Sequence, residues 1–159
     1  MIYKKVKRID EQISALGVGC WNFGGDWDSS EDNNSDRIIH ASIDLGINLF
    51  DVAPVYGWYH SEEVLGKALQ GGLRQKVVIA SKCGLLWDEN HKTRNCLTKK
   101  SILEEIDGSL RRLRTAQFQS VRRNKAVQRH VLALKGCDTI AVPGKDPTER
   151  RHQKAFPRA

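Results

Sequence analysis

No stretch of this 159-residue chain approaches 18 consecutive apolar residues, the length a membrane-spanning helix needs. The opening Met1-Ile2-Tyr3-Lys4-Lys5 lacks the apolar run of a secretory signal. These two absences point to a soluble, intracellular protein, cytoplasmic in expectation. Cysteine is scarce, with four in the chain, and none shows the paired Cys-x2-Cys or His-x3-His spacing of a zinc site. Cys83, His91 and Cys96 share one segment without that spacing. No metal is therefore expected, and thiols without a secretion signal are expected to stay reduced.

What the chain does have is concentrated at Leu49-Phe50-Asp51-Val52-Ala53-Pro54-Val55-Tyr56-Gly57. The stretch starts apolar, as a strand buried on both faces does, and ends on an acid. Pro54 stops the ladder because it has no N–H to donate. A second apolar run, Val77-Val78-Ile79-Ala80-Ser81, closes on Lys82. If the two strands are parallel neighbours, Asp51, Tyr56 and Lys82 meet at one edge of the sheet. A lone phenol is a poor proton donor at neutral pH, since its pKa is about 10. A nearby ammonium favours the phenolate, and a carboxylate fixes the ammonium in place. Such a trio suits protonation of a carbonyl oxygen as hydride arrives. The competing reading is a turn-capping acid, a packed tyrosine and a solvated lysine.

The remaining pattern alternates strands and helices. Residues 2–14 suggest a hairpin with a polar turn at Arg8-Ile9-Asp10-Glu11. Leu16 to Cys20 reads as a short buried strand, with Gly17 and Gly19 allowing close backbone approach. A helix is expected over 34–45, with Ile38, Ile39, Ile43 and Leu45 in its stripe and Gly46 just past its end. His40 on it is expected at the surface. A second helix is expected over 61–69 with Ser61 as its cap, and Trp58, Tyr59 and His60 before it could wall a pocket. Residues 83–98 read as a long loop. Thr98 caps a third helix, in which Ile102, Ile106, Leu110 and Leu113 recur at helical spacing.

Several motifs, in order, resemble the aldo-keto reductase superfamily. They are Ser14-Ala15-Leu16-Gly17-Val18-Gly19-Cys20-Trp21-Asn22-Phe23-Gly24-Gly25, Asp51-x-Ala-x-x-Tyr56-Gly57, His60-Ser61-Glu62-Glu63-Val64-Leu65-Gly66-Lys67-Ala68-Leu69, Ala80-Ser81-Lys82-Cys83-Gly84 and Ser109-Leu110-Arg111-Arg112-Leu113. The resemblance runs from residue 1 to about 114. It implies an α/β fold, a (β/α)8 TIM-type barrel whose bottom the N-terminal hairpin covers. It implies NADPH as cofactor, a small-molecule aldehyde or ketone as substrate, and a tetrad of Asp, Tyr, Lys and His. The first three fall on Asp51, Tyr56 and Lys82. Cys20, Trp21 and Asn22 would lie in the first loop on the active side, against cofactor or substrate. Thr139-Ile140-Ala141-Val142 followed by Pro143-Gly144-Lys145 resembles the last barrel strand and its phosphate-binding turn. Gly144, Lys145 and Arg150 would then grip a nucleotide phosphate.

The sequence also departs from this pattern. The resemblance implies a fourth strand ending in histidine after Leu113, but the chain continues Arg114-Thr115-Ala116-Gln117-Phe118-Gln119-Ser120-Val121-Arg122-Arg123, with neither an apolar run nor a histidine. Charge breaks at the same place. Residues 114–159 carry eleven Lys/Arg and three Asp/Glu, a net of +8, leaving 15 basic and 16 acidic side chains in residues 1–113. Length agrees, because a complete barrel takes roughly 250 residues. The expectation is a partial barrel missing several βα units: residues 1–114 as the N-terminal units, residues 115–159 as a divergent basic segment. An internal deletion, a splice variant and a frame change all fit the break. Open sheet edges would favour pairing with other chains, and a catalytically impaired chain acting only through such association is the alternative function. Nucleic acid is not an expected partner: the basic residues suffice for phosphate contacts, but they are not interleaved with aromatics.

Overall fold

The computed structural model describes residues 1–6, 9–24, 30–116 and 120–123. Its frame is a four-stranded parallel sheet of β3 (Gly17–Gly19), β4 (Leu49–Asp51), β5 (Val78–Cys83) and β8 (Ser120–Arg123), in that spatial order. Gly19 lies opposite Asp51, Asp51 opposite Ala80, and Lys82 opposite Arg122. Helices α1 (Ser30–Asp44), α2 (His60–Ala68) and α3 (Lys99–Arg112) link successive strands. Parallel neighbours need such crossovers, so strand–helix alternation in the sequence reads directly as topology.

The core lies between sheet and helices. Phe50 and Ile79 from the strands, and Val52 just after β4, pack with Ile39 of α1, Val64 and Leu65 of α2, and Ile102 and Ile106 of α3. The α1 stripe is narrower than expected. Ile39 is fully buried, but Ile38 and Leu45 face out. Gly46 follows the helix at φ +83, the left-handed C′ position that glycine takes without strain.

At the other end of the strands, β1 (Tyr3–Lys5) pairs antiparallel with β2 (Gln12–Ser14). Asn48, one residue before β4, clamps this hairpin: its Oδ1 accepts from Ser14 N at 2.8 Å and its Nδ2 donates to the Gln12 carbonyl at 2.8 Å. The hairpin therefore closes the amino-terminal end of the sheet, leaving the carboxyl end for chemistry.

Four expectations are corrected. A fourth strand is present: β8 pairs in parallel register with β5 along Ala80–Cys83. Ladder pairing uses backbone groups, so a polar sequence with Val121 as its one apolar residue still joins the sheet. The parallel sheet thus extends past residue 114. Leu16 is 62% exposed and Val18 only partly covered, because β3 is an edge strand rather than a buried one. The segment expected as a loop contains an antiparallel pair, β6 (Leu85–Trp87) and β7 (Thr93–Asn95). Ser61 does not cap α2. Tyr59 holds that place at φ +88 without a side-chain bond, and Ser61 lies within the first turn. Thr98 does cap α3, its hydroxyl accepting from Ser101 N at 3.2 Å.

Candidate functional site

Asp51 ends β4, and the chain turns at once. Tyr56 N donates to the Ala53 carbonyl at 3.0 Å and Tyr59 N to the Pro54 carbonyl at 2.7 Å, so residues 53–59 fold into consecutive tight turns that bring Tyr56 back over the sheet. Lys82, near the end of β5, reaches across to β4. Its Nζ donates to Asp51 Oδ1 at 2.9 Å and to the Val52 carbonyl at 3.1 Å. The same ammonium lies 4.6 Å from the centroid of the Tyr56 ring. The structure thus brings together the three side chains that the sequence spaced 5 and 26 residues apart. Lys82 is 13% exposed and Asp51 38%, so the pair sits at a mouth rather than in the core.

The segment after β3 frames the other side. It forms a 3-10 turn, Cys20–Gly24. Trp21 is 63% exposed, and its ring meets Tyr56 edge-on at 4.9 Å. Asn22 is exposed beside it. Cys20 differs from expectation. It is fully buried in the core, with its thiol 3.8 Å from the Val18 carbonyl, and burial followed by the nearby Asp51 charge pushes the thiol up, well beyond the ordinary thiol range. Cys20 turns into the core while Trp21, the next residue of the same 3-10 turn, faces out. Gly144, Lys145 and Arg150 lie outside the described residues.

Aromatic side chains continue the wall. Trp58 stacks on His91 with centroids 4.1 Å apart and planes 8° apart, and Trp87 meets both Trp58 at 5.4 Å and Tyr59 at 4.6 Å. Trp58, Tyr59 and His91 all take positive φ, uncommon for bulky residues, so the backbone is held in sparsely populated regions where β6, β7 and the turn after β4 meet. His60, expected before the helix, is its first residue.

Behind this wall lies a group of residues the sequence reading missed. Glu62 is fully buried. It accepts from Ser81 Oγ at 2.9 Å and from Arg112 Nε at 2.7 Å. Glu62 and Arg112 are 50 residues apart, and the only sequence signal was the unusual run Ser61-Glu62-Glu63 on a helix whose other inward residues are apolar. Just past β7, Cys96 sits two residues before Thr98, the α3 cap. Hydrogen bonds from the Ser101 side chain, and then from Thr98, bring its thiol down to about 7.

Comparison with known proteins agrees with this arrangement. A sequence model described as "Aldo/keto reductase family" matches residues 15–123. The chain belongs to the aldo/keto reductase family. It is 38% identical over 117 residues to aldo-keto reductase YhdN of Bacillus subtilis (strain 168), covering 72% of this chain and 35% of that one. It is 36% identical over 117 residues to the NADH-specific methylglyoxal reductase of Escherichia coli (strain K12), covering 65% of this chain and 36% of the relative. Among solved structures it resembles the glycerol dehydrogenase AKR11B4 of Gluconobacter oxydans, with TM-score 0.70 and 38% identity over 76% of this chain and 38% of that one. The chain therefore spans about a third of the length of the curated relatives it matches. Its fold is a part of the family's (β/α)8 barrel.

Proposed function

We propose that the site at Asp51, Tyr56 and Lys82 protonates the carbonyl oxygen of an aldehyde or ketone during reduction by NADPH. The observation that carries this reading is the position of the Lys82 ammonium, held by Asp51 at 2.9 Å and lying 4.6 Å from the Tyr56 ring. When bound, the cofactor supplies the hydride. As negative charge builds on the substrate oxygen, Tyr56 passes its phenolic proton to it. The ammonium beside the ring stabilises the phenolate left behind, and Asp51 with the Val52 carbonyl keeps the ammonium from swinging into solvent. Trp21 and Asn22 suit the cofactor's nicotinamide end, since they offer a flat apolar face and an amide at the mouth next to Tyr56. Gly144, Lys145 and Arg150 are proposed for its phosphates on the resemblance alone.

The test is a titration of the chain with NADPH and with NADH, followed by tryptophan and nicotinamide fluorescence, and then a generic aldehyde assay. Saturable binding in the micromolar range is expected. Tyr56→Phe should bind the cofactor and lose turnover by about 10²–10⁴-fold, the usual contribution of a general acid. An absence of binding at near-millimolar cofactor sinks the reading.

One observation favours a second reading, a chain without turnover that acts by association. The strand that would end in the tetrad's histidine is Ser120–Arg123, which ends on two arginines. Sedimentation alongside the aldehyde assay separates the readings, because this one predicts a self-associated species with no turnover at any cofactor level.

A further inference from the structure

Three polar side chains that take no part in the proposed proton transfer are sealed directly behind it. Ser61 and Glu62 are consecutive in the first turn of α2, and both are fully buried. Ser81, also buried, precedes Lys82 on β5. A buried carboxylate is strongly unfavourable unless it is paired and hydrogen-bonded. Glu62 has both: Oε1 accepts from Ser81 Oγ at 2.9 Å and Oε2 from Arg112 Nε at 2.7 Å. Arg112 is itself held, donating from Nη2 to Ser109 Oγ at 3.2 Å with its guanidinium 4.0 Å from the Tyr59 ring. One carboxylate therefore ties α2 to β5, to α3 and, through Arg112, to Tyr59 just before α2.

Ser61 reaches the opposite way. Its Oγ donates to the Cys20 carbonyl at 2.6 Å. The next residue, Trp21, is the one that meets Tyr56 edge-on. Consecutive strand residues point to opposite faces, so Ser81 turned toward Glu62 leaves Lys82 turned toward Asp51. A slip of β5 along its axis would move both. An apolar layer of similar volume would hold these elements without desolvating a charge; what the bonded carboxylate adds is direction and register.

We propose that Glu62, with Ser61 beside it, is a positioning residue of the site: through Ser81 and Arg112 it fixes Lys82 against Asp51 and Tyr56. Its catalytic consequence rests on the reductase reading. Its geometric consequence does not, and the experiment reads the two separately.

The geometric readout is the rate at which trace acetic anhydride acetylates Lys82 in the intact chain, followed by mass spectrometry, with exposed Lys100 as internal standard. Lys82 is mostly covered and ion-paired, so it should react slowly. Ser81→Ala removes one bond and leaves the Glu62–Arg112 pair. Glu62→Gln removes the carboxylate. Both are expected to speed Lys82 acetylation several-fold, while Ile13→Val, in the separate apolar cluster beneath the hairpin at the amino-terminal end of the sheet, leaves it unchanged. Where there is turnover, both should lower kcat by about 10²-fold, the order of effect of a roughly 1 Å misplacement, without changing the cofactor KM. The wild-type rate of Lys82 acetylation in a Ser81→Ala protein of native circular dichroism overturns the proposal, as does an equal acceleration in Ile13→Val. A Glu62→Gln chain that fails to fold leaves Ser81→Ala to decide. Absence of turnover in the wild type defeats the reductase reading, and the acetylation result still decides this one.

Discussion

Two cation–carboxylate pairs meet at neighbouring residues of β5, Ser81 bonding to one and Lys82 belonging to the other, and they differ in kind. Lys82–Asp51, at 2.9 Å, lies at the carboxyl edge of the sheet with both partners partly open to water. Arg112–Glu62, at 2.7 Å, lies behind it with the carboxylate fully covered. The chemistry is nearly the same; the surroundings differ. The pair at the mouth holds a positive charge beside the Tyr56 ring, where the proposed proton transfer would use it. A pair in the core has no such access, and its direction-specific bonds serve as a joint between elements. Residue type follows the same division. Lysine is a compact charge that can face a phenol, while the planar guanidinium of arginine bonds to several partners at once.

Breaking the inner pair should give the largest effect. Arg112→Met leaves Glu62 buried without its cation and is expected to cost about 3–5 kcal/mol of unfolding free energy, read from urea denaturation. Equal stability to wild type would erase the distinction between the pairs. Gly66→Ala attacks the same joint sterically. A Cβ there collides with the Arg112 carbonyl and comes to 2.7 Å from Leu113 Cα, all of it backbone. Separating α3 from α2 is expected to cost about 1–3 kcal/mol, as overpacking generally does.

Lys82→Met should invert the pattern. Its partner Asp51 is solvated at the mouth, so the stability change is expected to be about 1 kcal/mol or less. Turnover, where the wild type shows it, should fall below detection in the same preparation. A large loss of stability from Lys82→Met would make the outer pair structural. The smallest structural disturbance is expected from thiol chemistry. Cys96 should react with iodoacetamide with a rate that reaches half its plateau at a pH of about 7, as its hydrogen-bonded thiolate forms. Cys20, buried behind the outer pair, should stay unmodified until the chain unfolds. Early labelling of Cys20 would show that the floor of the site opens.

The outer pair was legible in the sequence because each member ends a recognisable apolar run. Strand ends are the one place where short-range pattern predicts long-range meeting: parallel neighbours in register bring Asp51 and Lys82 to the same edge whatever the loops do. The inner pair was not legible. Glu62 and Arg112 belong to helices with ordinary charged residues, and the run Ser61-Glu62-Glu63 does not itself say which charge turns inward. Ser61 misled for a related reason. A serine before an apolar stripe reads as a cap, yet the tight turns at 53–59 put the cap two residues earlier, at Tyr59, and free the Ser61 hydroxyl for the Cys20 carbonyl. The β6–β7 pair and β8 escaped because ladder bonds are made by backbone, which every residue carries.

By itself, the sequence determined the alternation of strands and helices, the parallel arrangement that alternation requires, the meeting of Asp51, Tyr56 and Lys82, and the family. Periodicity and chain order are local properties, and these features depend on little else. Tertiary structure alone decided which carboxylate is buried, which of Cys20 and Trp21 turns inward, that β3 is an edge and that Ser120–Arg123 completes a ladder. Each of these depends on what lies across a packing interface. No local pattern carries that information, because the partner that covers a residue or bonds to it arrives from a distant part of the chain.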